Sequence, residues 1–101
     1  MMATYCASKA AAFSVTQAMR AELAASGVRV RAVFPPAVDT RMTAHVMQPK
    51  LAPDAFAKLL IEALQNDEED IYPAAAEALR EALQRDRKAV ERTFADRLPP
   101  A

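Results

Sequence analysis

Tyr5-Cys6-Ala7-Ser8-Lys9-Ala10-Ala11 decides how the rest of the chain is read. It sets a phenol and an ammonium four residues apart in an alanine-rich run. Alanine is the strongest helix former, and positions i and i+4 share a helix face, so Lys9 stands beside Tyr5 by geometry. A free phenol titrates near pH ~10, and a cation one turn away favours its ionised form, which suits general acid/base chemistry. The same spacing also describes an ordinary solvated helix turn.

Outward from this stretch, good helix formers continue the helix over residues 3–25. Val15, Met19 and Leu23 form an i, i+4 stripe expected to pack on a sheet. Ala7, Ala10, Ala11, Ala18 and Ala21 leave other faces smooth enough for a second helix. Ser26-Gly27 stops the helix, with the only glycine where a left-handed cap is expected. Residues 28–34, Val-Arg-Val-Arg-Ala-Val-Phe, read as a strand. A helix feeding a strand directly is an α/β unit of a parallel sheet. Pro35-Pro36 ends the strand, and the loop that follows lies at a strand's carboxyl end, where such sheets bind ligands.

Residues 41–49 read as a short helix carrying Met42, His45, Val46 and Met47. Pro53 and Asp54 open the next helix, whose apolar face is Phe56, Leu59, Leu60, Ala63 and Leu64. Asp67-Glu68-Glu69-Asp70 lacks calcium-loop spacing and reads as a solvated turn. Ile71-Tyr72-Pro73 reads as a very short strand. From residue 74 the chain is helical, with stripes Leu79/Ala82/Leu83 and Val90/Phe94/Leu98 and expected ion pairs Glu81–Arg85 and Arg87–Glu91. Asp86 is placed to cap a second helix and split this segment.

At 101 residues and 52% apolar composition, the chain is one domain at most. A chain of this size buries only about two thirds of its unfolded surface, so it gains by association. Net charge is zero, but residues 1–50 carry six Lys/Arg against two Asp/Glu, and residues 51–101 seven against eleven. No basic run is dense enough for nucleic acid, and no stretch is long and apolar enough to span a membrane. One cysteine, Cys6, fits a reducing, cytoplasmic compartment. The only histidine, His45, has no metal-ligand spacing to other residues, so no metal site is expected.

In order and spacing, four segments resemble the C-terminal half of the short-chain dehydrogenase/reductase family. They are the opening stretch, Phe13-Ser14-Val15-Thr16-Gln17-Ala18-Met19-Arg20-Ala21-Glu22-Leu23-Ala24, Gly27-Val28-Arg29-Val30-Arg31-Ala32-Val33, and Pro35-Pro36-Ala37-Val38-Asp39-Thr40. The likeness is most specific over residues 4–42 and looser beyond. It implies an α/β fold, the C-terminal portion of a Rossmann-like doubly wound parallel sheet. Residues 1–101 would form a single partial domain, with the N-terminal half absent.

The resemblance also implies hydride transfer between NAD or NADP and a small carbonyl or alcohol substrate. Tyr5 would be the proton donor or acceptor, and Lys9 would hold the nicotinamide ribose hydroxyls. Pro35, Val38 and Thr40 fall on the nicotinamide side, Val38 through its backbone and Thr40 through its hydroxyl. Pro36 stands where the family usually has glycine, and it has neither an N–H nor glycine's freedom. The family's glycine-rich phosphate turn has no counterpart, and its catalytic serine lies further upstream than this chain extends; Ser8 and Ser14 match other motif positions. The chain is therefore expected to be inactive and to bind cofactor poorly alone. Met1-Met2 fits a start inside a longer reading frame. In the family this helix pairs with its counterpart, which implies a homo-oligomer through the Tyr5/Lys9 helix; packing within the chain would use the same face. The alternative is a non-catalytic helical homo-oligomer that kept the helix and lost the chemistry.

Overall fold

The computed structural model describes residues 2–73 and 75–97. Helix α1, Met2–Leu23, passes through a 3-10 turn at Ala24–Ser26 into Gly27, whose φ of 74° is the left-handed cap expected. Its inner face is Phe13, Thr16, Arg20 and Leu23, all half-buried. Val15 and Met19, expected to face the sheet, are instead 56% and 42% exposed. The reason is polar. The Arg20 guanidinium donates to the Val30 carbonyl at 2.8 Å, the Glu69 carbonyl at 2.8 Å and the Asp70 carboxylate at 2.6 Å. That anchor rotates the helix, and the Phe13 ring meets Phe34 edge-on at 5.0 Å on the same face.

The sheet has two parallel strands, β1 (Ala32–Val33) and β2 (Asp70–Ile71), with Ala32 opposite Asp70 and Val33 opposite Ile71. Ala32 N–H donates to Glu69 and Phe34 N–H to Ile71, both at 2.9 Å. The strand expected over residues 28–34 contracts to this ladder, because β2 offers only two residues to pair. Before it, the chain is held by side chains. Arg29 and Arg31 both reach the Asp67 carboxylate, and Arg31 also donates to the Glu68 carbonyl.

Between the strands runs α2, Pro53–Gln65, with Pro53 in its first turn and Asp54 at its positive end. It closes with Asp67 N–H donating to Leu64 (3.2 Å) and Glu68 N–H to Ala63 (3.0 Å). This is a Schellman closure that puts Asp67 at φ 61°, a position that favours glycine. The acidic run is the exposed turn expected, and it has a second task. It is the joint at which the end of α2 and the start of β2 receive arginines from α1 and the lead-in to β1.

Helices α3 (Ala75–Arg85) and α4 (Arg87–Arg97) divide at Asp86, whose carboxylate accepts the Ala89 N–H at 3.0 Å. Among the described residues, the ion pairs on these helices are Glu77–Arg80 and Lys88–Glu91, at i, i+3, rather than the i+4 pairs expected. Val90 is buried and Phe94 is 47% exposed; Leu98 lies outside the described residues.

The core is small, with Ala63, Ile71, Pro73 and Val90 buried. The accessible surface is 8179 Å², against about 5,600 Å² for a compact monomer of this mass. The radius of gyration is 15.7 Å, against about 12.7 Å expected. Apolar side chains on α1, β1 and α2 therefore remain uncovered. Among the described residues, no helix is long and apolar enough to cross a membrane.

Phe34 lies between Phe13 and Tyr72, so Phe34→Ala is expected to lower stability by about 2 kcal/mol, read by urea denaturation. The Arg31 guanidinium, hydrogen-bonded to Asp67, holds that carboxyl below its usual range, and Arg29 adds to the effect. A carboxyl lowered by folding contributes stability that is complete above its unfolded value, near pH ~4, and lost as pH falls through the folded value. The urea midpoint of Asp67→Asn should therefore lie below that of the wild type at about pH 6 and converge with it in acid. A gap that persists at about pH 2 would overturn this.

Candidate active site

Tyr5 and Lys9 stand on the first turns of α1, with the Lys9 Nζ 5.4 Å from the centre of the Tyr5 ring. The phenol is half-exposed, and among the described residues no side chain hydrogen-bonds its hydroxyl. The Ser8 hydroxyl donates to the Tyr5 carbonyl at 2.7 Å, a local helix bond. Cys6 is a free, exposed thiol.

The second tyrosine differs. Tyr72 stacks face to face on Phe34 at 4.2 Å, and Arg80 lies 5.2 Å from its ring on α3. Burial, followed by the Asp70 charge, pushes its phenol above the usual value, so it stays neutral at physiological pH. Tyr72 belongs to the packing that fixes the end of β1.

From that end runs the loop carrying Pro35, Val38 and Thr40. Pro35 and Thr40 are exposed, and Val38 is half-buried. Val38 forms a parallel bridge with Leu51, through Leu51 N–H to the Ala37 carbonyl and Asp39 N–H to the Leu51 carbonyl, both 2.8 Å. The short helix expected over residues 41–49 is only a 3-10 turn, Arg41–Thr43. Here sequence reasoning missed two residues. The Thr43 hydroxyl accepts the Thr40 N–H at 3.1 Å and donates to the Val38 carbonyl. Lys50 Nζ reaches the Thr43 carbonyl at 3.1 Å and the Asp39 carboxylate at 3.3 Å. The Thr-x-x-Thr spacing, which forms a reciprocal capping box between Thr40 and Thr43, was the available signal.

Two contacts give the register of helix on strand. Arg20 meets Val30 and, further back along α1, Phe13 meets Phe34. Helix and strand run antiparallel, at ~1.5 and ~3.3 Å per residue. The antiparallel run points the Tyr5/Lys9 turns toward the carboxyl end of β1, the end from which the Val38/Thr40 loop departs. A separate concavity of about 590 Å³, lined by Glu68, Asp70, Tyr72, Glu77, Arg80 and Gln84, contains none of them. It is open and acidic, and the chemistry-bearing residues weigh more than its size. His45 is exposed, and among the described residues no cluster of His, Cys, Asp or Glu is placed to hold a metal.

Toward a nicotinamide dinucleotide the fit is one-sided. Lys9, the Thr40 hydroxyl and the Val38 N–H, which has no partner among the described residues, suit the nicotinamide end. The pyrophosphate end needs closely approached backbone at a helix N-terminus, whereas Gly27, the only glycine, sits at a helix C-terminus.

The short chain dehydrogenase family model matches residues 1–51. An uncharacterized oxidoreductase of Staphylococcus saprophyticus is 44% identical over 64 residues, which are 60% of this chain and 27% of that protein. A crystal structure of a short chain dehydrogenase from Burkholderia cenocepacia in complex with NADP superposes with a TM-score of 0.80 at 38% identity. The superposition covers 93% of this chain and 39% of that one. The chain thus spans less than half the length of either relative, and the structural likeness extends past the matched segment into α2, α3 and α4. On its matched sequence and its α/β backbone alike, the chain belongs to the short-chain dehydrogenase family.

Proposed function

We propose that these residues form the acid/base and nicotinamide-side portion of an NAD(P)-dependent oxidoreductase acting on a small carbonyl or alcohol. The observation that supports the reading most is the antiparallel run of α1 on β1, which directs the Tyr5/Lys9 turns toward the end of β1 from which the Val38/Thr40 loop departs. Tyr5 would exchange a proton with the substrate oxygen, and Lys9 would supply positive charge beside the phenol and donate to the nicotinamide ribose. Pro35, Val38 and Thr40 would flank the nicotinamide, with the Val38 N–H and Thr40 hydroxyl available to its carboxamide. The dinucleotide, when bound, supplies or accepts the hydride. Phosphate binding falls to parts of the domain other than these 101 residues, so the chain alone is inactive in this reading.

A second reading has support in the exposed surface of α1. Val15 and Met19 lie uncovered beside exposed Ala7, Ala11 and Ala18, a surface suited to another copy of the chain. Association through α1 is compatible with the first reading and is the whole function in the second.

Titration of the purified chain with NADPH and NADH, followed by nicotinamide fluorescence, should give a Kd in the millimolar range or weaker. Lys9→Ala should weaken it by about fivefold, the loss of one hydrogen bond. Micromolar binding that Lys9→Ala leaves unchanged would put the cofactor elsewhere and overturn the reading. In a longer polypeptide that carries these residues and reduces a carbonyl, Tyr5→Phe should lower kcat by about 10²–10⁴-fold. An undiminished kcat would remove Tyr5 from the chemistry.

A further inference from the structure

The segment between Phe34 and Pro53 contains no regular element beyond one 3-10 turn, yet its first part is held by a set of specific hydrogen bonds. The Ala37 carbonyl and Asp39 N–H pair with Leu51. The Val38 carbonyl and the Thr40 N–H both bond to the Thr43 hydroxyl. Lys50, with its side chain only 19% exposed, joins Asp39 to the Thr43 carbonyl. Residues 44–49 carry few such ties, and Met47 is 95% exposed.

We infer that Thr43 and Lys50 are positioning residues that build the loop carrying Val38 and Thr40 in its ligand-ready form before any ligand arrives. The inference rests on the nicotinamide-side reading of that loop. In the parallel bridge, Ala37 and Asp39 supply the backbone groups that face Leu51, so the N–H and carbonyl of Val38 point away from it. On that far side the Thr43 hydroxyl takes the Val38 carbonyl and leaves the adjacent N–H free. A hydroxyl has one proton and two lone pairs, so Thr43 can donate to Val38 while accepting from Thr40. Valine has the same shape and can do neither; serine can do both. Lys50 closes the arrangement by bonding both to the loop, at Asp39, and to the turn, at Thr43. The function of the latch is to remove ordering entropy that a ligand would otherwise have to overcome.

The predicted ligand fragment is a primary carboxamide on a cationic ring, so the probe is nicotinamide mononucleotide, which needs no pyrophosphate cradle. Amide hydrogen exchange and ¹H–¹⁵N shifts would be measured in the 101-residue chain as wild type, Thr43→Val, Thr43→Ser and Lys50→Met. The wild type should show protected Asp39 and Leu51 amides and a Val38 amide that shifts with the probe. Thr43→Val and Lys50→Met should speed exchange at those two amides about tenfold and weaken the probe response by a similar factor, leaving protection within α2 unchanged; Thr43→Ser should restore both. Unchanged exchange in Thr43→Val and Lys50→Met would overturn the latch itself. Faster exchange in a chain whose wild-type Val38 and Thr40 do not respond to the probe would instead overturn the nicotinamide-side reading and leave Thr43 with a purely structural task.

Discussion

A single guanidinium holds this structure together. Arg20 reaches from the last turn of α1 to the Val30 carbonyl ahead of β1 and to a carbonyl and carboxylate at the start of β2. Arginine suits the position because its planar fork presents several donors in fixed directions, so one side chain can bridge three acceptors on two strands. Lysine, a compact point charge on a flexible stem, would not fix the angle between helix and sheet. Everything that makes the site plausible depends on that angle. Arg20 sets which helix face turns inward, and with Phe13 on Phe34 it sets how far α1 slides along β1. The height of Tyr5 and Lys9 follows from that slide.

Local rules written into the sequence carried through where one residue type decides the backbone. Gly27 caps α1 in the left-handed region, Pro53 and Asp54 open α2, and Asp86 divides the last two helices by accepting the Ala89 N–H. The Tyr5/Lys9 pairing was legible for the same reason, since i and i+4 meet on any helix. Less legible was whatever depended on residues far apart in sequence. The Val15/Met19/Leu23 stripe had the right period, but periodicity does not say which face a distant carboxylate will pull inward. Asp67 to Asp70 are exposed as expected, but their arginine partners, 36 or more positions earlier, could not be seen. The strand was overestimated at 28–34 because its length is set by its partner, and β2 is short. The Thr43–Lys50 network escaped because most of its bonds run to backbone groups, which no side-chain pattern reveals.

The surface left uncovered agrees with the lengths of the relatives. A 101-residue chain with four well-buried residues among those described has little interior for an α/β domain. Its match to 39% of a solved dehydrogenase places that deficit in context. Parallel sheets are normally covered on both faces and extended on both sides, since their strands are joined by helical crossovers. Here the backbone of Arg31 and Val33 faces the edge of β1 opposite β2, as ladder alternation requires. The chain therefore has the geometry of the fold at its carboxyl-end loop without the interior that makes such folds stable in isolation.

The aromatic arrangement also has an optical consequence. The chain has no tryptophan and two tyrosines, and these occupy opposite environments. Tyr72 is locked flat on Phe34 beneath a guanidinium, the asymmetric setting in which a chromophore acquires a near-ultraviolet circular dichroism signal. Tyr5 lies half in solvent beside the Lys9 ammonium, open to collisional quenchers. The molecule thus carries two native chromophores with separate assignments. One reports whether β1, β2 and α3 remain assembled, and the other reports the environment of the acid/base pair, without any label being attached.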